Sequence, residues 1–261
     1  MKLRNFLIFV SIVLVSFLIR IYGVNWDQGT HLHPDERFLT MVVSSMKAPQ
    51  SWVMYFDPTS SLYNPFNTGY TFFVYGAAPL VLTKLVSIQA GMDTYEGIVI
   101  IGRILSAIAD TSIIVSIFFF VWNFQKKFRY SRWLKYISAA VYGGTVFAIQ
   151  QAHFFTVDSF TTAFYFLSLL SLAFWFEKRM EWMSLVLSAL FFGFTLASKV
   201  SALYGLPPLA LFFLLRLLSE EDVQSRIKII GHGIVWILIG YISLRLSNPY
   251  YFASASFLDV S

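Results

Sequence analysis

The segment FLIFVSIVLVSFLIRIYG, residues 6–23, follows two basic residues at the start of the chain. It is long enough to cross the roughly 30 Å hydrocarbon core of a bilayer as one helix. A secretory signal peptide has a shorter apolar region and a cleavage site with small residues, and neither feature is present in this segment. We therefore predict that the segment is an anchor and the first membrane span.

The composition of the whole chain is typical of a membrane protein. Of the 261 residues, 57% are hydrophobic, 19% aromatic and only 13% charged, and the mean hydropathy is +0.66. Long apolar stretches predict helical spans, and the alternating strands of an outer-membrane barrel are absent from the sequence. We predict an all-α polytopic membrane protein. The lack of cysteine excludes disulfides and thiolate metal sites.

The apolar stretches predict seven spans. They lie near residues 5–23, 98–124, 134–151, 159–176, 182–197, 203–218 and 229–246. We expect no internal repeat or second domain, so residues 1–261 form a single transmembrane module. The net charge of +5 reflects basic residues in the loops between spans, which is a topological signal, and we expect no nucleic-acid partner.

One further apolar segment, residues 69–89, is interrupted by glycine, proline and lysine and fits a surface helix as well as a span. If this segment crossed the membrane, the strongly basic linker 125–135 would lie outside, against the positive-inside rule. We therefore predict a juxtamembrane helix within a long first external loop, residues 24–97. The same choice places most of the remaining ionisable residues at the external ends of the spans.

The first loop contains an acidic motif, THLHPDERFL at residues 30–39. Asp35 and Glu36 follow Pro34, so one interpretation is that they only start a helix, where the macrodipole favours acidic side chains. The other is that a carboxylate held at the membrane surface acts as a general base on an acceptor hydroxyl. The sequence around the motif leaves both interpretations open.

Basic residues at the same membrane face complement the negative charge of the acidic motif. Arg103, Lys199 and Arg245 could bind the phosphate of a lipid-linked substrate, because arginine and lysine pair with phosphate oxygens. The alternative is that their long side chains reach into lipid headgroups. For Arg103, inside an apolar span, we favour phosphate binding.

Other polar residues carry weaker signals. The histidines of the first loop and His153 match no compact metal-binding motif, so we expect no cofactor to be required and no metal ligand among the site residues, although a divalent metal stays open. Asp110, in the middle of the second span, is expected to hydrogen-bond a neighbouring helix.

The order of four motifs resembles that of a known class of enzymes. HPDERF follows the first span, GRILSAIADT opens the next, and AHFFTVDSF and ASKVSALYGLPPLAL follow later spans. In this order they resemble the polyprenyl-phosphate-sugar-dependent glycosyltransferases of the GT-C class, which include protein O-mannosyltransferases and the aminoarabinose transferase of lipid A. The resemblance implies a seven-span module, with juxtamembrane helices in its first external loop, and a chain that continues in relatives beyond this one, which would make the present chain a truncated form.

The resemblance also implies roles for individual residues. Asp35 would be the catalytic base and Glu36 its partner, and Arg103 would lie near the donor phosphate. Asp158 would be a second acidic residue of the cavity. The residues His153, Lys199 and Arg245 would complete the substrate-binding face.

The predicted function is transfer of a hexose or pentose from a polyprenyl phosphate to a hydroxyl of a protein, lipid or glycan acceptor, with inversion at the anomeric carbon. The reaction would take place at the extracytoplasmic face of the plasma membrane, or the lumenal face in a eukaryote. Two alternatives stay open: a transporter or flippase of lipid-linked sugars, which would use the same acidic and basic residues for recognition, and a truncated binding or regulatory module without catalysis. Transporters commonly show paired repeats, which this sequence lacks.

Overall fold

The computed structural model describes residues 3–125 and 127–251, and helices make up all the regular structure of these residues. The α-helices are α1 Leu3–Ile21, α2 Pro34–Ser45, α3 Trp52–Phe56, α4 Ala78–Gln89, α5 Tyr95–Phe124, α6 Leu134–Gly143, α7 Val146–Ala152, α8 Val157–Phe176, α9 Glu181–Ser198, α10 Leu206–Ser219 and α11 Val223–Ser247. Two 3₁₀ helices, Pro65–Thr68 and Val200–Gly205, complete the set. The predicted all-α class is confirmed.

Six helical segments of the described chain are long and apolar enough to cross a membrane. They are α1, α5, α8, α9, α11 and the continuous segment Val200–Ser219, which contains α10. These six agree with six of the seven predicted spans. The other predicted span, residues 134–151, differs in structure.

Residues 134–151 do not form one helix but two, α6 and α7, which are separated by a break at Gly144 and Thr145. Both halves still pack along α1. The Tyr136 hydroxyl lies 3.3 Å from the Asn5 carbonyl near the start of α1, and the His153 ring lies 3.0 Å from the Tyr22 carbonyl just beyond its end. The broken helix therefore extends over the same length as α1, and the predicted seventh crossing stays a prediction for these residues.

A buried ion pair lies near this break. Arg20 in α1 donates from Nε to Asp110 in α5 over 2.5 Å, and the Tyr142 hydroxyl donates to the same carboxylate over 2.7 Å. Arg20 also donates to the carbonyl of Gly143, which the break leaves without its helical partner. The prediction that Asp110 bonds neighbouring helices is confirmed, and these bonds join α1, α5 and α6.

The apolar segment 69–89 contains α4, whose 12 residues extend about 18 Å and fall short of a membrane crossing. Its lysine, Lys84, is buried and pairs with Asp93 over 2.6 Å. The prediction of a short helix inside the first loop, not a span, is confirmed. α4 packs against α2, α5 and α9.

The first loop covers one end of the helix bundle. It contacts the ends of three spans: Gly76 N donates to Ser198 O in α9, the Tyr55 hydroxyl donates to Leu246 O in α11, and Phe155 N, just before α8, donates to Glu36. Ion pairs of the short linkers, such as Lys178 with Glu220, lie at the opposite end. The first loop and the short linkers therefore lie at opposite ends of the bundle, as the charge pattern predicted.

We expect the two ends to face opposite sides of the membrane. The chain has no native cysteine, so single cysteines at the exposed Ser60 and Ser131 can be labelled without background. A membrane-impermeant maleimide should reach Ser60→Cys only from outside and Ser131→Cys only from the cytoplasmic side, because the basic linker stays inside. Labelling of both positions from the same side would contradict the topology.

Candidate active site

The start of α2 separates the two carboxylates of the acidic motif. His33 caps the helix by accepting the Glu36 amide, and Pro34 occupies the first helical position, where its missing N–H costs nothing. Adjacent helical residues point in directions about 100° apart. Glu36 is consequently buried, with 0% of its side chain exposed, whereas Asp35 is exposed.

Glu36 is fixed by Arg103 of α5. Arg103 donates from Nε to one carboxylate oxygen over 2.8 Å and from Nη2 to the other over 2.7 Å. The amide of Phe155 donates a third bond of 2.8 Å. This bidentate pairing of guanidinium and carboxylate is the strongest form of such a pair and holds α2 against α5. The bond from Phe155 holds α2 against the start of α8.

A second carboxylate, Asp27, occupies the remaining side of the same guanidinium. Its two oxygens lie 3.0 Å and 2.8 Å from Nη1 and Nη2 of Arg103, and Nη1 also donates to the carbonyl of Val24. These hydrogen bonds from Arg103 hold the pKa of the Asp27 carboxyl below its usual range. Asp27 was not predicted from the sequence as a site residue. The signal that could have indicated it is an acidic residue that closely follows the first span, at the same face as Arg103.

This cluster changes what is expected of Arg103. All three guanidinium nitrogens donate to protein oxygens, and only 1% of the side chain is exposed. A donor phosphate at this position would have to replace Glu36 or Asp27. Contact between Arg103 and phosphate stays a prediction, and the observed bonds show that Arg103 positions the acidic motif.

The exposed Asp35 lies beside Tyr75 of the first loop. Burial is the main reason that the pKa of the Tyr75 hydroxyl lies above its usual value, and the nearby carboxylates of Asp35 and Asp158 add to the effect. Tyr75 therefore lies near both acidic residues. It was not among the residues singled out from the sequence, because an aromatic residue in an apolar segment carries no distinguishing signal.

A close backbone contact places Tyr75 at the end of α9. Gly76 N donates to Ser198 O over 2.9 Å, and a Cβ atom at Gly76 would lie only 1.9 Å from the carbonyl oxygen of Ala197. Only glycine permits this approach. Lys199 comes next in the chain, so the loop and the end of α9 meet at the site.

Lys199 and Asp158 form an ion pair at the site, with Nζ 2.7 Å from the carboxylate. Both side chains are partly exposed, so the pair remains accessible. Asp35, Tyr75, Asp158 and Lys199 thus form a polar group at the loop-covered end of the bundle. The prediction that Asp35, Asp158 and Lys199 lie at one end of the bundle is confirmed.

A cavity of about 270 Å³ adjoins this group. Its lining includes Phe66, Phe73, Tyr75, Val200, Tyr250 and Tyr251. Arg245, near the end of α11, donates to the carbonyl of Tyr251 over 2.7 Å. Arg245 therefore holds Tyr251 in one wall of the cavity, at the same end of the bundle as the polar group.

The three histidines His31, His33 and His153 contact different partners and do not share a site. The two ring nitrogens of His153 face the carbonyls of Ile149 and Tyr22, so His153 joins the ends of α7 and α1. His31 contacts Glu96 over 2.9 Å, and His33 caps α2. Within the described part of the chain, no group of three or more histidine and acidic residues could hold a metal ion.

The fold is similar to that of a chain in the structure of the Saccharomyces cerevisiae protein O-mannosyltransferase Pmt1–Pmt2 complex bound to the sugar donor. The TM-score is 0.74 at 14% sequence identity, and the match covers 97% of the present chain and 34% of the yeast chain. The present chain thus spans about a third of the length of that protein. A comparison with curated proteins finds no match.

The model of one protein family, described as dolichyl-phosphate-mannose-protein mannosyltransferase, matches residues 97–243. The matched part contains Arg103, Asp158 and Lys199 but begins after the acidic motif of the first loop. Because it comprises more than half of the sequence, the chain belongs to the dolichyl-phosphate-mannose-protein mannosyltransferase family.

Proposed function

We propose that this chain is the membrane module of a glycosyltransferase that moves mannose from a polyprenyl-phosphate carrier to a protein hydroxyl at the extracytoplasmic face of the membrane. The family supports the sugar and the acceptor, and the structurally similar yeast complex is bound to the sugar donor. The observation that carries the proposal is the exposed carboxylate of Asp35 beside Tyr75, which is also influenced by Asp158, the ion-pair partner of Lys199, at the same end of the bundle.

Asp35 is suited to the role of general base. Glu36, its neighbour in α2, is fixed by three hydrogen bonds, so the backbone that carries Asp35 cannot shift freely. A base must be held within hydrogen-bond reach of the proton that it removes. In the proposed reaction, the acceptor oxygen bonds to the anomeric carbon, Asp35 takes the hydroxyl proton, and the lipid phosphate leaves with the electrons of the glycosidic bond. This single displacement inverts the anomeric centre.

We place the donor phosphate near Lys199 and not at Arg103. Lys199 is partly exposed and has one carboxylate partner, Asp158, whereas Arg103 is buried with two. An incoming phosphate can take the place of Asp158 at moderate cost because both side chains of the pair are partly exposed. Arg245 lies on the same side, at the wall of the aromatic cavity, whose lining suits an apolar part of the donor.

Lys199→Gln should weaken binding of a polyprenyl-phosphate donor by about 10- to 100-fold, since a hydrogen bond to a charged group contributes roughly 1.5–3 kcal/mol. Titration of the purified protein with a polyprenyl-phosphate analogue measures the dissociation constant of the donor. Lys178→Gln is the matched control, because Lys178 also pairs with a carboxylate but at the opposite end.

Asp158→Asn separates phosphate binding from a merely structural ion pair. It removes the partner of Lys199 but keeps the lysine, so donor affinity should be retained or should rise. If Lys199→Gln and Asp158→Asn lowered donor affinity equally, the pair would be structural and the assignment of Lys199 to phosphate would be wrong.

A further inference from the structure

The basic linker 125–135, which leads from α5 into α6, combines positive charge with exposed aromatic rings. It contains five basic and no acidic residues, whereas each of the other two linkers at this end of the bundle contains acidic residues. Phe128, Tyr130 and Trp133 in this linker are 55%, 45% and 42% exposed. An exposed set of apolar rings interleaved with cations indicates an interaction surface.

Ring contacts hold the basic linker at the level where the spans end. The ring of Phe128 packs against that of Phe124, the last residue of α5, with centroids 6.0 Å apart. Phe124 in turn contacts the ring of Phe176, the last residue of α8, at 6.4 Å. The backbone also turns back, since the amide of Tyr130 donates to the carbonyl of Gln125 over 3.2 Å. The exposed rings therefore lie beside the ends of two spans.

Two arginines of the linker have no carboxylate partner within the described part of the chain. Arg129 and Arg132 are exposed, and the ion pairs of the described residues include neither. Arg132 lies over the ring of Trp133, with Cζ 5.6 Å from the centroid. Lys127, by contrast, pairs with Glu177 over 3.1 Å. Because a guanidinium matches two phosphate oxygens at once, the unpaired arginines suit a phosphate group.

The positive-inside rule explains why basic residues lie at this end, but not why aromatic rings accompany them. The rule counts lysine and arginine in short loops and makes no demand on rings. It does not require unpaired charges either, since Lys178 of the next linker pairs with Glu220. Rings at the boundary between headgroups and acyl chains, with basic side chains directly at the end of a span, are typical of a site for anionic lipids.

We propose that the basic linker binds anionic phospholipids of the leaflet at this end of the bundle, the cytoplasmic leaflet in the predicted topology. Arg129 and Arg132 hold the lipid phosphates, and the three exposed rings lie at the boundary between headgroups and acyl chains. The partner is a lipid and not a nucleic acid or an acidic protein, because lipid headgroups are the nearest anions to rings that lie beside the span ends. This inference does not depend on the proposed function.

A fluorescent probe in the linker tests lipid binding locally. Because the chain has no cysteine, Ser131→Cys, between the two arginines, can carry a single bimane. The labelled protein is placed in nanodiscs of phosphatidylcholine with a small fraction of brominated phosphatidylglycerol or brominated phosphatidylcholine, whose bromine atoms quench the probe at short range. We expect quenching to show about 10-fold enrichment of the anionic lipid over the neutral one, the order expected for two arginines beside anionic headgroups.

Matched double variants show whether the arginines cause this preference. Arg129→Gln/Arg132→Gln should abolish the enrichment. Lys178→Gln/Arg179→Gln removes the same charge from the neighbouring linker and should retain the enrichment, because that linker contains acidic residues. All four side chains are exposed, so thermal unfolding should confirm that both double variants are folded.

Several results would overturn the proposal. Equal quenching by the two lipids would show that the linker does not select anionic headgroups, and no quenching by either would place it in water, where a soluble partner could reach it. Equal loss of enrichment in the two double variants would show a general effect of net charge. Loss of the preference on addition of inorganic phosphate at constant ionic strength would identify a site for free phosphate instead of lipid.

Discussion

Asp35→Asn is expected to reduce sugar transfer by about 10²- to 10⁴-fold, the range typical of losing a general base. Asparagine keeps the size of the side chain and much of its hydrogen bonding but cannot accept the hydroxyl proton. Because Asp35 is exposed and Glu36 holds α2 in place, donor affinity and thermal stability should stay close to wild type. The assay is transfer of labelled mannose from a polyprenyl phosphate to a peptide in liposomes, measured beside donor binding.

Asp57→Asn provides the matched control for this prediction. Asp57 is another aspartate of the first loop, and its carboxylate accepts hydrogen bonds from Thr59 and Ser60 of its own turn. Its replacement should leave transfer nearly unchanged. If Asp35 served only to start α2, Asp35→Asn would also be near wild type, because asparagine is well tolerated at helix starts. Undiminished transfer by Asp35→Asn would thus remove the base assignment.

The second large effect is expected for Arg103→Met, which should destabilise the fold by about 3–5 kcal/mol, the usual cost of removing one partner from a buried ion pair. The substitution leaves the carboxylates of Glu36 and Asp27 buried without their cation. The measurement is the thermal unfolding midpoint in detergent. Arg37→Met is the control, because Arg37 is exposed on the same helix as Glu36 and its loss should change stability by less than about 0.5 kcal/mol.

The same variant distinguishes two roles of Arg103. If Arg103 positions the acidic motif, Arg103→Met lowers stability, and transfer falls because Asp35 is displaced. If Arg103 instead contacts the donor phosphate, donor affinity falls while the unfolding midpoint stays at the wild-type value. The second pattern would contradict the positioning role.

Much of the architecture follows from the sequence by physical rules. Hydropathy and the positive-inside rule predict six of the spans and the short helix α4, since burial of apolar surface in lipid leaves few alternatives. Pro34 and the acidic residues after it predict the start of α2. The break between α6 and α7 was missed, because a glycine pair hardly changes the hydropathy of the segment, and its stability depends on Arg20 from another helix.

The sequence predicts which residues meet at the site better than it predicts their roles. The order of the motifs predicted the glycosyltransferase family, which the family match confirms. Hydropathy places Glu36 and Arg103 at the same face but does not show which way each side chain points. Because Arg103 turns towards Glu36 and Asp27, and Lys199 towards Asp158, the lysine is the more accessible of these two cations. Such pairings depend on tertiary contacts far apart in the chain.

A structure of the protein with a bound polyprenyl-phosphate-sugar analogue tests the central assignment most directly. We predict that the phosphate lies within hydrogen-bond distance of Lys199 Nζ, that the anomeric carbon faces Asp35, and that Arg103 keeps its bonds to Glu36 and Asp27. A phosphate bound by Arg103 with Glu36 displaced, or a donor bound away from Asp35, would contradict the account.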